Sequence, residues 1–297
     1  MNLNPRTKGI TLVIIGTMLW GVSGTVAQFL FQQKSFNPEW LVVVRLLISG
    51  FILLLYGYLK KDKNIKNIWK EKNDRIILLL FGILGMLGVQ YTYFAAIKHG
   101  NASTATILQY LSPVIITCYL IIRNKKLPNI IQLISIILAL IGTFFIITRG
   151  NIDSLSLSKS ALFWGIASAF CAAIYTLQPI SLLKKYGSIS VISWGMIIGG
   201  LAFSFIHSPF NFTGELSIVS IISVIFIIIF GTIITFYCYL ESLQYLLPTE
   251  SSILSCIEPL SATILSVLWL NVSFGLPELI GTACIICTVI LLSFSKN

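Results

Sequence analysis

The sequence predicts an all-α integral membrane protein: ten transmembrane helices arranged as two inverted-topology five-helix repeats, with both termini cytoplasmic. Three observations lead there. Of 297 residues, 56% are hydrophobic and only 10% are charged. A soluble domain carries about 25% charged residues, so the surrounding medium must largely be lipid. The apolar residues collect into ten runs, each near the ~20 residues that carry a helix across a hydrocarbon core of about 30 Å. Finally, the second half of the chain echoes the first. Shifted by 146 residues, Gly85, Tyr91, Tyr93, Ile107, Leu108, Pro113 and Thr117 fall on Gly231, Tyr237, Tyr239, Ile253, Leu254, Pro259 and Thr263.

The runs cover residues 9–31, 40–59, 76–97, 102–122, 130–148, 160–180, 189–206, 218–240, 250–270 and 278–294. Helices are the natural choice, because lipid cannot satisfy open backbone groups and barrel strands require strict alternation. The first run follows Arg6 and Lys8. It is longer than the roughly 7–15 apolar residues of a signal peptide, so it is read as a retained helix. Arg45 lies in the second run, five residues from its outer end; snorkelling to the interface is weighed against a gating or substrate role. The loop 60–75 is the longest and is charged, which places it on the inner membrane surface. The seventh run is the shortest. The ninth holds the dipeptide Glu258-Pro259.

Charge fixes the orientation. With the N-terminus inside, fifteen basic residues fall on inner segments, only Lys34, Lys98, Arg149 and Lys159 on outer ones, and Arg45 within a span. This is the positive-inside bias. It accounts for the net charge of +10 and removes nucleic acid as a partner. The six cysteines all lie in apolar runs and read as small hydrophobes. His99 and His207 sit at outer span ends and offer no metal set. No phosphate-binding glycine loop is present, so no nucleotide-driven pump and no cofactor is expected.

The echo extends further: Gln28 maps on Gln178, Arg45 near Gly195, and Pro128 on Pro277. The halves are then 1–149 and 150–297. A five-span unit crosses an odd number of times, so its copy enters inverted, an arrangement common in transporters with a midplane site.

At these residues the chain resembles a ten-span member of the drug/metabolite transporter superfamily, of the EamA type. The resemblance lies in Trp20-Gly21, Arg45, the segment from Ala95-Ala96-Ile97 to Pro113, Glu258-Pro259, and Pro277-Glu278 with Gly281. It implies solute transport by alternating access around a central cavity lined by spans one, three, four, six, eight and nine.

The residues themselves propose where that cavity is polar. Pro113 frees the carbonyl of Gln109, and Pro259 frees that of Ser255; such interrupted helices are either plain kinks or the usual place for a transporter site. Helical spacing puts Ser251, Ser255, Glu258 and Ala262 on one side, with images Ala105, Gln109, Ser112 and Ile116. Tyr237 and Glu241 share a face, and Tyr91 is the image of Tyr237. Trp20, Trp164 and Tyr175 complete the expected lining, while Trp40 and Trp269 read as interface anchors. Glu250 reads as a solvated loop carboxylate. An intramembrane carboxyl is a functional hypothesis by default. Glu258 could bind a cationic group, carry a coupling proton or make a structural bond.

The function expected is secondary transport of small polar or amphipathic metabolites such as amino acids, by a monomer in the lipid bilayer, with protons as a candidate coupling ion. A quaternary amine is the alternative substrate, through cation–π contacts. An intramembrane enzyme is the runner-up class, but no His-Glu-x-x-His, Gly-x-Ser-x-Gly or paired-aspartate motif occurs. The Ile-, Lys- and Asn-rich composition points to a bacterium with AT-rich DNA, and so to the cell membrane.

Overall fold

The computed structural model describes residues 4–125, 127–148, 157–242, 245–246, 254–273 and 275–294. Among these every regular element is helical. In chain order the helices are α1 (Pro5–Gln33), α2 (Pro38–Leu59), α3 (Asn64–Asn67), α4 (Lys72–Leu80), α5 (Gly88–His99), α6 (Ala102–Gln109), α7 (Ser112–Asn124) and α8 (Ile130–Thr148). They continue with α9 (Lys159–Leu177), α10 (Ile180–Tyr186), α11 (Ser188–Ser204), α12 (Ile218–Ile228), α13 (Thr235–Ser242), α14 (Ile257–Leu270) and α15 (Leu276–Phe294). Two π-helical segments, Phe81–Leu87 and Ile229–Ile234, join α4 to α5 and α12 to α13. Among the described residues, six helices are long and apolar enough to cross a membrane: Pro5–Gln33, Pro38–Leu59, Lys72–His99, Ala102–Arg123, Lys159–Leu177 and Ile218–Tyr239. Four more are apolar but shorter, Ile130–Ile146, Ser188–Ser204, Ile257–Leu270 and Leu276–Leu292.

Local chemistry sets the ends. Pro5 and Pro38 start α1 and α2, where the missing N–H costs no helical bond. The Asn101 side chain accepts from the Thr104 N–H at 2.8 Å, and Ser217 and Ser220 form a reciprocal capping box before α12. Lys125 and Asn271 close α7 and α14 in the left-handed region. The loop 60–75, expected on the inner membrane surface, packs onto the bundle end. Ile65 and Ile68 are buried, the Trp194 indole donates to the Ile65 carbonyl at 2.9 Å, and Trp69 packs edge-on against Trp194.

The packing is inside-out relative to a soluble protein. Leu140, Phe163, Ile222 and Leu268 are more than half exposed, whereas Thr17, Ser23, Thr25, Gln28, Ser49 and Thr106 are buried. α1 occupies the middle, touching α5, α6, α12, α13 and α14. α2 packs on α11, α5 on α9, α6 and α7 on α9, α6 on α14, and α8 on α15. Close approach to α1 requires glycine at two points. A methyl on Gly231 would overlap Ser23 of α1, and one on Gly21 would overlap Ser261 and the Glu258 carbonyl.

Candidate functional site

The helix covering 102–124 is interrupted between α6 and α7, at Tyr110 and Leu111, just before Pro113. The 254–270 stretch is interrupted at Cys256, just before Pro259. The two breaks meet. Tyr110 caps the end of α6, and its hydroxyl donates to the Ser255 carbonyl at 2.6 Å, the acceptor that Pro259 leaves open. The same oxygen lies 3.2 Å from Glu258 Oε2. Glu258 is buried and sits in the first turn of α14, where the helix dipole and open N–H groups favour an acid. Its own carbonyl accepts from the Ser261 hydroxyl at 2.8 Å.

Aromatic rings surround this junction. Tyr239 packs on Trp20 at 5.4 Å between centroids. Trp20 meets Phe236 edge-on at 5.3 Å, and Phe236 leads on to Tyr175 at 6.3 Å. Tyr93, whose hydroxyl is 2.8 Å from that of Thr106, lies within electrostatic reach of both Glu258 and Arg45. One buried carboxyl inside a ring of tyrosine, tryptophan and phenylalanine can hold an ammonium or exchange a proton.

The other expected site residues make no side-chain hydrogen bond to Tyr110 or Glu258 among the described residues. The Gln109 amide donates to Ser168 Oγ at 2.6 Å, tying α6 to α9 rather than facing Glu258. Ser112 is half-buried at the start of α7. Tyr91 joins a second aromatic cluster, 5.3 Å from Trp164 and 5.0 Å from Phe203, and its hydroxyl donates to Glu39 at 3.3 Å. Ser251 and Glu250 fall outside the described residues.

One placement differs from expectation, and one of two open readings drops out. Tyr237 is 47% exposed and lines a lateral groove with Glu241, so both point away from Glu258. The Glu241 carboxylate accepts from the Tyr245 hydroxyl at 3.0 Å, and Tyr245 in turn receives the Lys8 ammonium at 2.7 Å. Arg45 does not snorkel. It is 5% exposed, donates Nε to Thr232 Oγ1 at 2.5 Å and an Nη to the Gly231 carbonyl at 3.0 Å, and lies 5.0 Å from the Phe94 ring.

Tyr110, Tyr239 and Phe236 were missed in the sequence. Tyr239 was available, since the echo pairs it with Tyr93 as surely as it pairs Tyr237 with Tyr91. Tyr110 has no tyrosine image, because Cys256 stands there.

Helices with apolar exteriors, polar interiors and a buried carboxyl between two broken helices define a multi-span membrane protein with an interior site. The comparisons make the class specific. The EamA-like transporter family matches residues 7–148 and again 159–294, and the chain belongs to that family. It is therefore a membrane-embedded transporter of the drug/metabolite superfamily. YicL of Salmonella typhimurium, described as an uncharacterized inner membrane transporter, is 42% identical over 98% of this chain and 96% of its own length. YdfC of Bacillus subtilis, described as an uncharacterized transporter, is 22% identical over 93% of this chain and 89% of its own. A crystal structure 16% identical superposes with a TM-score of 0.64 over 96% of both chains, a likeness of fold.

Proposed function

We propose that the protein is a secondary transporter that moves small polar or amphipathic metabolites, amino acids foremost, by rocking two inverted halves around the Tyr110–Glu258 junction. The observation that carries this reading is that junction. One broken helix supplies the hydroxyl that satisfies the carbonyl opened in the other, beside a buried carboxyl. A tie made of one hydroxyl and two acceptors is easily exchanged for substrate contacts. Tyr110 has a single proton to give, so Ser255 and an ionised Glu258 compete for it. A proton or an ammonium group on Glu258 completes the set, which makes either one a fitting cargo or coupling ion.

Several observations support ten spans in two inverted halves, 1–149 and 150–297. The π segments and the broken helices recur at the spacing of the sequence echo. The family matches the chain twice in tandem. The contacts also come in image pairs. α5 on α9 has its image in α13 on α1; α1 on α14 has its image in α9 on α6 and α7; and α2 on α11, α6 on α14 and α8 on α15 are their own images. That is the pattern of a twofold axis, and with an odd number of spans per half the axis lies in the membrane plane. The basic residues then put both termini in the cytoplasm, in the cell membrane of a bacterium, with no second subunit needed to complete the site. Family membership favours transport over catalysis. The rings around Glu258 favour a quaternary amine as the second substrate class.

The test is flux. Purified protein reconstituted in liposomes is offered labelled amino acids and amines, with and without a pH gradient. Saturable uptake or release of a panel member is expected; transport of none of them, by protein whose fold is intact, overturns the proposal.

A further inference from the structure

We infer that the segment from Lys60 to Arg75 is a headgroup site for anionic phospholipids, its lysines mounted on a platform that the bundle holds in place. Seven basic residues stand in this segment against three acids, Asp62, Glu71 and Asp74, and all seven basic side chains are exposed. Two of the acids are held by the second half of the chain. Asp62 accepts from the Asn64 N–H at 2.9 Å and the Ser190 hydroxyl at 3.1 Å. Asp74 accepts from the Lys185 ammonium and the Tyr186 hydroxyl, each at 2.6 Å. Among the described residues no salt bridge joins any of the seven bases to an acid, which leaves their charge to act on a partner.

Chain geometry turns the lysines outward. Around α3 the Asn67 and Ile68 N–H groups bond back to the Lys63 and Asn64 carbonyls, so the stretch winds as a helix. Helical spacing puts Lys63, Lys66 and Lys70 on one face and Ile65, Ile68 and Trp69 on the other. The second face is the anchored one: Ile65 and Ile68 are buried, and Trp69 packs on Trp194 at 5.0 Å. Connection sets the depth. The segment follows α2, whose last turn exposes Tyr58 and Leu59 by 59% and 71%, and precedes the exposed Ile76 and Leu79 of α4. Tyrosines at span ends mark the headgroup level. The Lys60 ammonium lies 5.8 Å from the Tyr56 ring centroid and that of Lys66 5.2 Å from the Tyr58 ring, so both turn back over rings that face lipid. A phospholipid meets both parts, with its chains against Tyr58 and Leu59 and its phosphate at the lysines. A zwitterionic headgroup would bring its own ammonium against them, so charge selects a net-negative lipid. An acidic protein would engage the lysines but gain nothing from the exposed apolar turn.

Photolabelling tests this directly. The full protein in phosphatidylcholine nanodiscs carrying a trace of photoreactive phosphatidylglycerol is irradiated, and adducts are mapped by mass spectrometry. Adducts are expected between Tyr56 and Lys70, displaced by unlabelled phosphatidylglycerol at a mole fraction about tenfold lower than added phosphatidylserine-free, zwitterionic phosphatidylethanolamine requires. Lys63→Gln with Lys66→Gln and Lys70→Gln should weaken labelling there by at least about tenfold, while the three Lys→Arg changes keep it. Arg123→Gln with Lys125→Asn, which removes two bases elsewhere, should leave it unchanged. The three lysines are exposed, so their loss spares the core, and the lipid competition on the wild type decides independently of any variant. Equal displacement by phosphatidylethanolamine would show no charge selection, and labelling indifferent to the triple Lys→Gln variant would place the probe elsewhere. An equal loss in the Arg123 and Lys125 variant would reduce the effect to general surface charge. Displacement by glycerol phosphate alone would make the segment a soluble-anion site, and displacement by polyglutamate but not by phosphatidylglycerol would make it a surface for acidic protein. Each of these outcomes overturns the proposal.

Discussion

Removing one oxygen atom at Tyr110 is the sharpest perturbation of the junction. Tyr110→Phe keeps the ring and deletes the donor to Ser255, 2.6 Å away, and the neighbour of Glu258, 3.2 Å away. Pro259 has no N–H with which to replace it. A buried acceptor stripped of its donor costs about 1–3 kcal/mol, while interhelical hydrogen bonds in membranes average about 0.6 and reach about 1.7 kcal/mol. The expected loss is about 1–2 kcal/mol, toward the upper end of the membrane range, because two acceptors share the hydroxyl. Glu258→Gln should cost less, since its amide can donate to the Tyr110 oxygen. The assay is equilibrium unfolding in mixed micelles for the wild type, both single variants and the double variant. With residues in contact, the cycle should show a coupling of at least about 0.5 kcal/mol, and initial flux should fall in both single variants. Additivity to within about 0.3 kcal/mol, with flux unchanged, would show that Tyr110 and Glu258 do not act together.

Two further predictions follow from the π segments. Arg45→Ala should destabilise the protein by about 2–4 kcal/mol in the same unfolding assay, since it deletes charged hydrogen bonds to Thr232 and Gly231 inside the bundle. Arg45→Lys should recover only part of this, because one ammonium cannot span both acceptors; a silent Arg45→Ala would contradict the clasp. Gly231→Ala should cost about 1–3 kcal/mol by overpacking against Ser23. Adding Ser23→Gly should restore most of the stability, and no rescue would mean that the contact is not the cause.

How far the sequence could be read depended on what each residue's neighbours do. Long apolar runs declare themselves, because only a helix spends twenty apolar residues in one stretch. The proline breaks were also legible: Pro259 opens the Ser255 carbonyl by covalent necessity. What closes that carbonyl was not. Tyr110 lies one residue past the end of α6, and its direction depends on how the chain resumes after the break. Tyr237 and Glu241 do share a face, but that face lines a lateral groove, which the four-residue spacing cannot tell from one turned to the interior. For Arg45, depth alone left snorkelling and a gating or substrate role both open, because its partners Thr232 and Gly231 stand in the other half of the chain. The charges of loop 60–75 spoke for the inner membrane surface, and did not reveal that Ile65, Ile68 and Trp69 anchor it to the bundle end.

The central claim is that the two halves expose the junction to each side of the membrane in turn. The direct measurement places a single cysteine at Ser112, beside the break, in a chain whose six native cysteines are replaced. An impermeant thiol reagent is then applied from either face of oriented vesicles. Alternating access predicts labelling from both sides, with saturating substrate shifting the two rates in opposite directions. Labelling from one side only, at a rate substrate does not change, would contradict it.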